Sequence, residues 1–216
     1  MKFMMFNNRT DAGQLLAEQL SRYKLDKPVV LALPRGGVPV GFKVAQVLEA
    51  PLSVLVSRKI GAPNNPEFGI GAISEGGVVI FDQRTIGLLG VSQKTLNKLK
   101  QAEQTELDRR IELYRQGQPL PELRDKNVIL VDDGLATGVT AQAAIKSVKK
   151  HSPASILFAA PVCAPDTANK IRAEVDLVLC TYSPTPLRSI GQHYRQFEQI
   201  SNDKVIALLK QAKKLA

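Results

Sequence analysis

Val128-Ile129-Leu130-Val131-Asp132-Asp133-Gly134-Leu135-Ala136-Thr137-Gly138-Val139-Thr140 is the stretch on which the reading of this chain turns. Four consecutive apolar residues, three of them β-branched, make a short strand buried on both faces. Two adjacent carboxylates then fall at its carboxyl end, where open α/β sheets receive their ligands. A Gly/Thr turn follows and opens into the helical pattern Thr140-Ala141-Gln142-Ala143-Ala144-Ile145. Small residues at a helix start leave backbone N–H groups open at the positive end of the helix dipole, which suits a phosphate. Thr137 and Thr140 add hydroxyl donors. Asp132 and Asp133 can accept hydrogen bonds from neighbouring hydroxyls, such as those of a ribose. The bland alternative is a plain strand-to-helix turn with a capping acid.

Two further segments have the same character. Val29-Val30-Leu31-Ala32-Leu33 is a second apolar run, followed by Pro34-Arg35-Gly36-Gly37-Val38-Pro39-Val40-Gly41. The Gly pair lets backbone approach a ligand closely, and Arg35 presents a planar fork of donors to phosphate oxygens. Leu52 to Ser57 alternates as a strand does and ends in the cations Arg58 and Lys59. The residues after it, Gly61-Ala62-Pro63-Asn64-Asn65-Pro66-Glu67, are loop formers.

The thirteen-residue stretch resembles the phosphoribosyl pyrophosphate (PRPP) motif of type I phosphoribosyltransferases: a hydrophobic strand, two acids, and a loop ending Thr-Gly-x-Thr. Pro34-Arg35-Gly36-Gly37 looks like the family's pyrophosphate loop. The resemblance also implies a cis peptide between Pro34 and Arg35. Several members carry an Arg-Lys pair, here Arg58-Lys59, where the second strand gives way to a mobile catalytic loop. The implied activity is transfer of the 5-phosphoribosyl group from PRPP to a nitrogenous base, with release of pyrophosphate and Mg²⁺ as cofactor. Asp132 and Asp133 would hold the ribose hydroxyls and touch the metal directly or through water. Gly134, Leu135, Ala136, Thr137, Gly138, Val139 and Thr140 would anchor the 5-phosphate. Arg35, Gly36, Gly37 and Lys59 would stabilise the leaving pyrophosphate, and a loop from about 60 to 68 would close over them. Members acting on 6-oxopurines usually place an Asp where this chain has Ala136, so the acceptor base is left open. A regulator that senses PRPP or a nucleotide without turnover, or that acts on nucleic acid, is the second reading.

Alternating strand and helix patterns predict a three-layer α/β fold with a mostly parallel twisted sheet, in one domain spanning 1–216. Helices are expected from Arg9 to Tyr23, from about Val38 to Leu48, and from Ser92 to Tyr114, with a last one from about Asp203 to Lys213. Strands are expected at 29–33, 52–57, 155–160 and 175–180, with a hairpin turn at Glu75-Gly76-Gly77. Residues 82–124 form a helical insertion that would serve as a lid, a dimer contact or a brace. Family members add a small hood over the base, expected here from parts of 1–25 and 181–200. Within it, Tyr182 or Tyr194 would stack on the base and His193 would hydrogen-bond it.

With 44% hydrophobic residues in 216, the chain can bury a sizeable core. No apolar run approaches the roughly 18 residues of a membrane span, and the apolar start is too short for a signal peptide. Cys163 and Cys180 read as reduced core thiols of a cytoplasmic protein, with a disulfide between neighbouring strands as the less favoured alternative. A net charge of +9 suits a triply phosphorylated ligand. The cations are scattered and the aromatics few (seven Phe, four Tyr, no Trp), so charge alone makes no case for nucleic acid. A homodimer is left open.

Overall fold

The structure is a computed structural model that describes residues 4–214. In chain order, α1 (Arg9–Leu20) precedes β1 (Pro28–Ala32), α2 (Gly37–Leu48) and β2 (Leu52–Val54). Then come β3 (Ser57–Ala62), β4 (Asn65–Ser74), β5 (Val78–Phe81), α3 (Gln83–Leu89) and α4 (Gln93–Arg115). The order continues with β6 (Asn127–Val131), α5 (Val139–Lys149), β7 (Ser155–Val162), α6 (Pro165–Arg172), β8 (Leu177–Tyr182) and α7 (Asn202–Ala212).

Five strands form one parallel sheet in the order β2-β1-β6-β7-β8. Parallel strands bury both faces, and period-2 alternation sends successive side chains into two different layers. Val29, Leu31, Val128, Leu130, Ile156 and Phe158 pack with Ala144, Ile145 and Val148 of α5. Val30, Ile129, Val131, Leu157 and Ala159 pack with Leu16 and Leu20 of α1 and with Val40 and Val44 of α2. The expected three-layer α/β fold is present. Its in-register pairs, from Pro28–Asn127 to Ala32–Val131, bring the ends of β1 and β6 level with each other.

Two expectations need correction. The stretch 52–57 is not one strand. β2 ends with the parallel sheet, and β3 begins a separate antiparallel sheet in the order β3-β4-β5. Residues 61–67 are the tip of the β3–β4 hairpin rather than a free loop. The reason lies at Gly61, where the Pro66 backbone comes so close that no side chain would fit, and the register shifts there without ending the pairing. The second correction concerns the cysteines. The β7–β8 register sets Ala160 opposite Cys180, and Cys163 follows β7 with its Cα 6.1 Å from that of Cys180, so the two form a disulfide.

Within the expected insertion, α4 packs on β3, β4 and α7. Leu96, Leu107 and Tyr114 supply its buried face. Arg58 Nε lies 2.5 Å from Glu103, and Arg58 Nη1 is 3.8 Å from Glu106. The Tyr114 hydroxyl donates to Asn202 Oδ1 at 2.7 Å. These contacts tie α4 to β3 and to α7. No helix among the described residues is long and apolar enough to cross a membrane.

Glu75, at the β4–β5 turn, accepts from the Val56 N–H at 2.7 Å and pairs with Arg115 Nη2 at 2.6 Å. Burial pushes its carboxyl above the usual range, opposed first by the Val56 N–H and then by Arg115. Arg115→Met should therefore cost about 3–5 kcal/mol by stranding a buried carboxylate, and adding Glu75→Gln should recover most of it. Urea titration of the single and double variants checks this. Glu106 is held down to about 2 by its bond to Arg109 and by Arg110. A lowered carboxyl stabilises the fold fully above its unfolded value, and that stability fades as pH falls from about 4.5 to 2. Glu106→Gln is expected to flatten this slope in acid melting curves.

Candidate functional site

The acid pair sits where β6 stops. Asp132 N–H donates to the Ala159 carbonyl at 3.2 Å, and Asp133 N–H turns back to Asp132 Oδ1 at 2.8 Å. Asp133 Oδ2 meets Arg9 Nε at 2.7 Å. Burial raises both carboxyls. Asp132 stands well above its ordinary value because the neighbouring Asp133 charge adds to the effect, whereas Arg9 opposes the rise at Asp133.

Beyond the acids, Leu135 N–H bonds the Val162 carbonyl at 2.8 Å, and the α5 ladder begins at Gln142 N–H with Gly138 as acceptor, 2.9 Å away. Between these anchors, the amides of Ala136 to Ala141 donate to no protein acceptor among the described residues. Gly138 adopts φ +77°, a left-handed conformation that aims the turn into the helix. Thr167 of α6 steadies it by donating to the Ala136 carbonyl at 2.6 Å. The result is a row of open donors at a helix N-terminus.

The loop after β1 lies directly over the carboxylates. Its Pro34–Arg35 peptide is cis, as the resemblance implies. A Cβ on Gly36 would overlap the Asp133 carboxylate; one on Gly37 would sit 2.6 Å from the Val131 carbonyl oxygen and 3.0 Å from Asp132 Cα. Both glycines are thus demanded by contact with the acid pair. Arg35 is half-buried, and its guanidinium has no hydrogen-bonding or ion-pair partner among the described residues.

Lys59 reaches the same region. It donates to the Glu67 carbonyl at 2.7 Å across the hairpin. With Thr137, Val139 and Gln142 it lines a cavity of about 650 Å³ between the antiparallel sheet and α5. Asp82 and Thr85 border the same space. Arg58 does not join it. Successive strand residues face opposite ways, and Arg58 turns to Glu103 and Glu106 of α4. Of the expected Arg58-Lys59 pair, Lys59 alone lines this cavity.

The N-terminal segment and residues 187–197 meet as an apolar cap around Phe6, Leu187, Ile190, Tyr194 and Phe197. Residues 1–3 of the expected hood lie outside the described residues. Tyr182, His193 and Tyr194 are all buried. The Tyr194 ring lies 5.0 Å from Phe197 and 5.5 Å from Phe6, while its hydroxyl donates to the Asp133 carbonyl oxygen at 2.7 Å. Tyr182 and His193 pack edge to face at 5.3 Å. Ile190 is the side chain pressed against Gly134.

Sequence reasoning missed Arg9, Phe197, Thr167 and Gln142. Arg9 reads locally as the first residue of a helix capped by Asn8, and its partner is 124 residues away. No periodicity marks such a contact.

A parallel sheet with paired acids at a strand end, an amide-lined turn and a terminal cap defines an α/β domain of the phosphoribosyltransferase type. The chain belongs to the phosphoribosyl transferase domain family, whose model matches residues 7–196. It is similar to a Mycobacterium tuberculosis protein provisionally named a phosphoribosyl transferase, at 38% identity over 208 residues, which are 96% of this chain and 47% of that protein. The chain therefore spans about half the length of that curated relative. The crystal structure of TT1426 from Thermus thermophilus superposes with a TM-score of 0.81 at 36% identity, covering 96% of this chain and 99% of that one. A uracil phosphoribosyltransferase of Aquifex aeolicus is 32% identical over 97 residues, 45% of this chain and 40% of its own.

Gly37→Ala should cost about 1–3 kcal/mol, because its Cβ meets backbone that cannot swing away. A urea titration showing no loss would mean that the loop does not rest on the acid pair.

Proposed function

We propose that the chain transfers the 5-phosphoribosyl group of PRPP to a nitrogenous base and releases pyrophosphate, as an Mg²⁺-dependent transferase of the cytoplasm. One observation carries this reading: six successive amides without protein acceptors begin four residues beyond Asp132, whose carboxylate has no cation paired to it among the described residues. The spacing suits a ribose diol at one end and its 5-phosphate at the other.

In this reading the amides of Ala136 to Ala141, with the Thr137 and Thr140 hydroxyls, hold the 5-phosphate at the positive end of α5. The open Arg35 fork, the Gly36 and Gly37 backbone and Lys59 receive the pyrophosphate as the bond from C1 to its oxygen breaks. A base nitrogen forms the new bond to C1 from the opposite side and gives up its proton to solvent. The protein contributes mainly alignment and charge management. The donor set suits a divalent cation held chiefly by the substrate. Asp132 offers a carboxylate oxygen, and the described residues contain no cluster of three or more His, Cys, Asp or Glu that would cage a metal. When bound, Mg²⁺ neutralises diphosphate oxygens. The tip of the β3–β4 hairpin, residues 60–68, covers the pyrophosphate side and excludes water.

The buried Tyr194, Tyr182 and His193 support the base side from behind, and Ile190, against Gly134, is placed to meet the base. Ala136 offers no carboxylate to a 6-oxopurine. The partial likeness to a uracil enzyme puts uracil in the panel beside adenine, hypoxanthine and guanine.

The test is pyrophosphate release from PRPP and Mg²⁺ across that panel. Turnover with one base is expected, reduced about 100-fold or more by Asp132→Asn. Arg35→Ala should weaken pyrophosphate binding more than ribose 5-phosphate binding. Tight PRPP binding with no release for any base would instead assign a sensor, and absence of PRPP binding would end the proposal.

A further inference from the structure

The two acids are not equivalent, and the difference comes from the N-terminal helix. Asp133 is enclosed. Arg9 Nε holds its Oδ2 at 2.7 Å, and the Gly36 backbone lies against the rest of the carboxylate so closely that a methyl group would overlap it. The Asp133 side chain is 17% exposed and that of Arg9 only 9%. Asp132 uses Oδ1 to accept the Asp133 N–H, and no cation forms an ion pair with its carboxylate among the described residues.

Arg9 is itself fixed at three points. Besides Asp133, its Nη1 donates to the Glu198 carbonyl at 2.9 Å, and its guanidinium carbon sits 3.8 Å from the centre of the Phe197 ring. Phe197 stacks on Tyr194 at 5.0 Å, and Tyr194 returns to Asp133 through the 2.7 Å bond to its carbonyl oxygen. Arg9, Phe197, Tyr194 and Asp133 close a ring of contacts that joins α1 and the cap to the end of β6.

We propose that Arg9 is a positioning residue that divides the acid pair: it commits Asp133 to anchoring the cap and leaves Asp132 alone to take the ribose hydroxyls. This deepens the phosphoribosyltransferase reading and rests on it for the ligand. The physical ground is charge. Two adjacent carboxylates beside an incoming ligand with three phosphate groups repel it and each other, and a buried guanidinium with fixed partners cancels one of them permanently. Fixing Asp133 also fixes the backbone from which Asp132 and the phosphate turn project.

Melting temperatures of the whole chain, with and without PRPP and Mg²⁺, separate the two acids. Asp132→Asn keeps an oxygen to accept the Asp133 N–H and removes only the buried charge, so the ligand-free protein should melt about 2–4 °C higher and show no PRPP-induced shift. Asp133→Asn leaves Arg9 buried without a counter-charge, so melting should fall by about 5 °C or more while the PRPP shift persists. Arg9→Met combined with Asp133→Asn should melt above Arg9→Met alone and keep the shift. Should Arg9→Met fail to fold, Arg9→Lys keeps the charge, loses the fork, and is expected to fall between wild type and Asp133→Asn in melting.

The proposal is overturned if Asp133→Asn abolishes the PRPP shift as fully as Asp132→Asn does. It is overturned equally if removing Asp133 leaves melting untouched while removing Asp132 lowers it. A wild-type protein with no PRPP shift defeats the functional reading instead, and the ligand-free melting order still decides whether Arg9 anchors Asp133.

Discussion

Asp132 and Asp133 stand side by side at the end of a buried strand, a poor place for two negative charges. Desolvation and mutual repulsion both disfavour ionisation there, and both carboxyls are raised accordingly. The neighbouring parts of the structure answer that strain. Arg9 supplies a buried cation, the Asp133 amide turns to Asp132, and two glycines let the loop after β1 close over the carboxylates without displacing them. Polar groups held at such a cost in a poorly solvated spot are the pattern expected of a functional site, the role proposed for them.

In the same region the parallel sheet leaves a row of backbone donors open. β6 delivers the chain to the carboxyl edge, Leu135 is pinned to the end of β7, and α5 starts three residues after Ala136. The amides between these anchors are left open because helix geometry gives the first turn no acceptors. Thr167 holds the turn from outside, so its donors are preorganised before any ligand arrives. Lys59 reaches the cavity from a different sheet altogether. Its position depends on the β3–β4 hairpin, which α4 braces through Arg58, Glu103 and Glu106.

Family membership fits this arrangement, and the likeness to TT1426 extends over nearly the whole of both chains. The cap is built from the N-terminal segment and residues 187–197. Its aromatic residues are occupied with one another and with Arg9, which leaves aliphatic Ile190 beside the turn.

Local pattern in the sequence was enough to determine the parallel α/β layers, the long α4, the acid pair, the amide-lined turn and the Gly-Gly loop. Each of these depends on neighbours within a few residues: β-branched runs, period-2 or 3.6 spacing, and small residues at a helix start. The break between β2 and β3 was illegible because the apolar alternation runs straight through it, and only sheet partners distinguish one strand from two. Glycine and proline around residues 61–66 read as a loop, although Gly61 serves there to admit the Pro66 backbone. The Cys163–Cys180 bond follows from the register of β7 and β8, and the opposite fates of Arg58 and Lys59 from which face of β3 meets α4. The pairing of Arg9 with Asp133 spans 124 positions. Contacts of that kind are settled by how the layers close, because a charge carries no local sign of the partner it will meet.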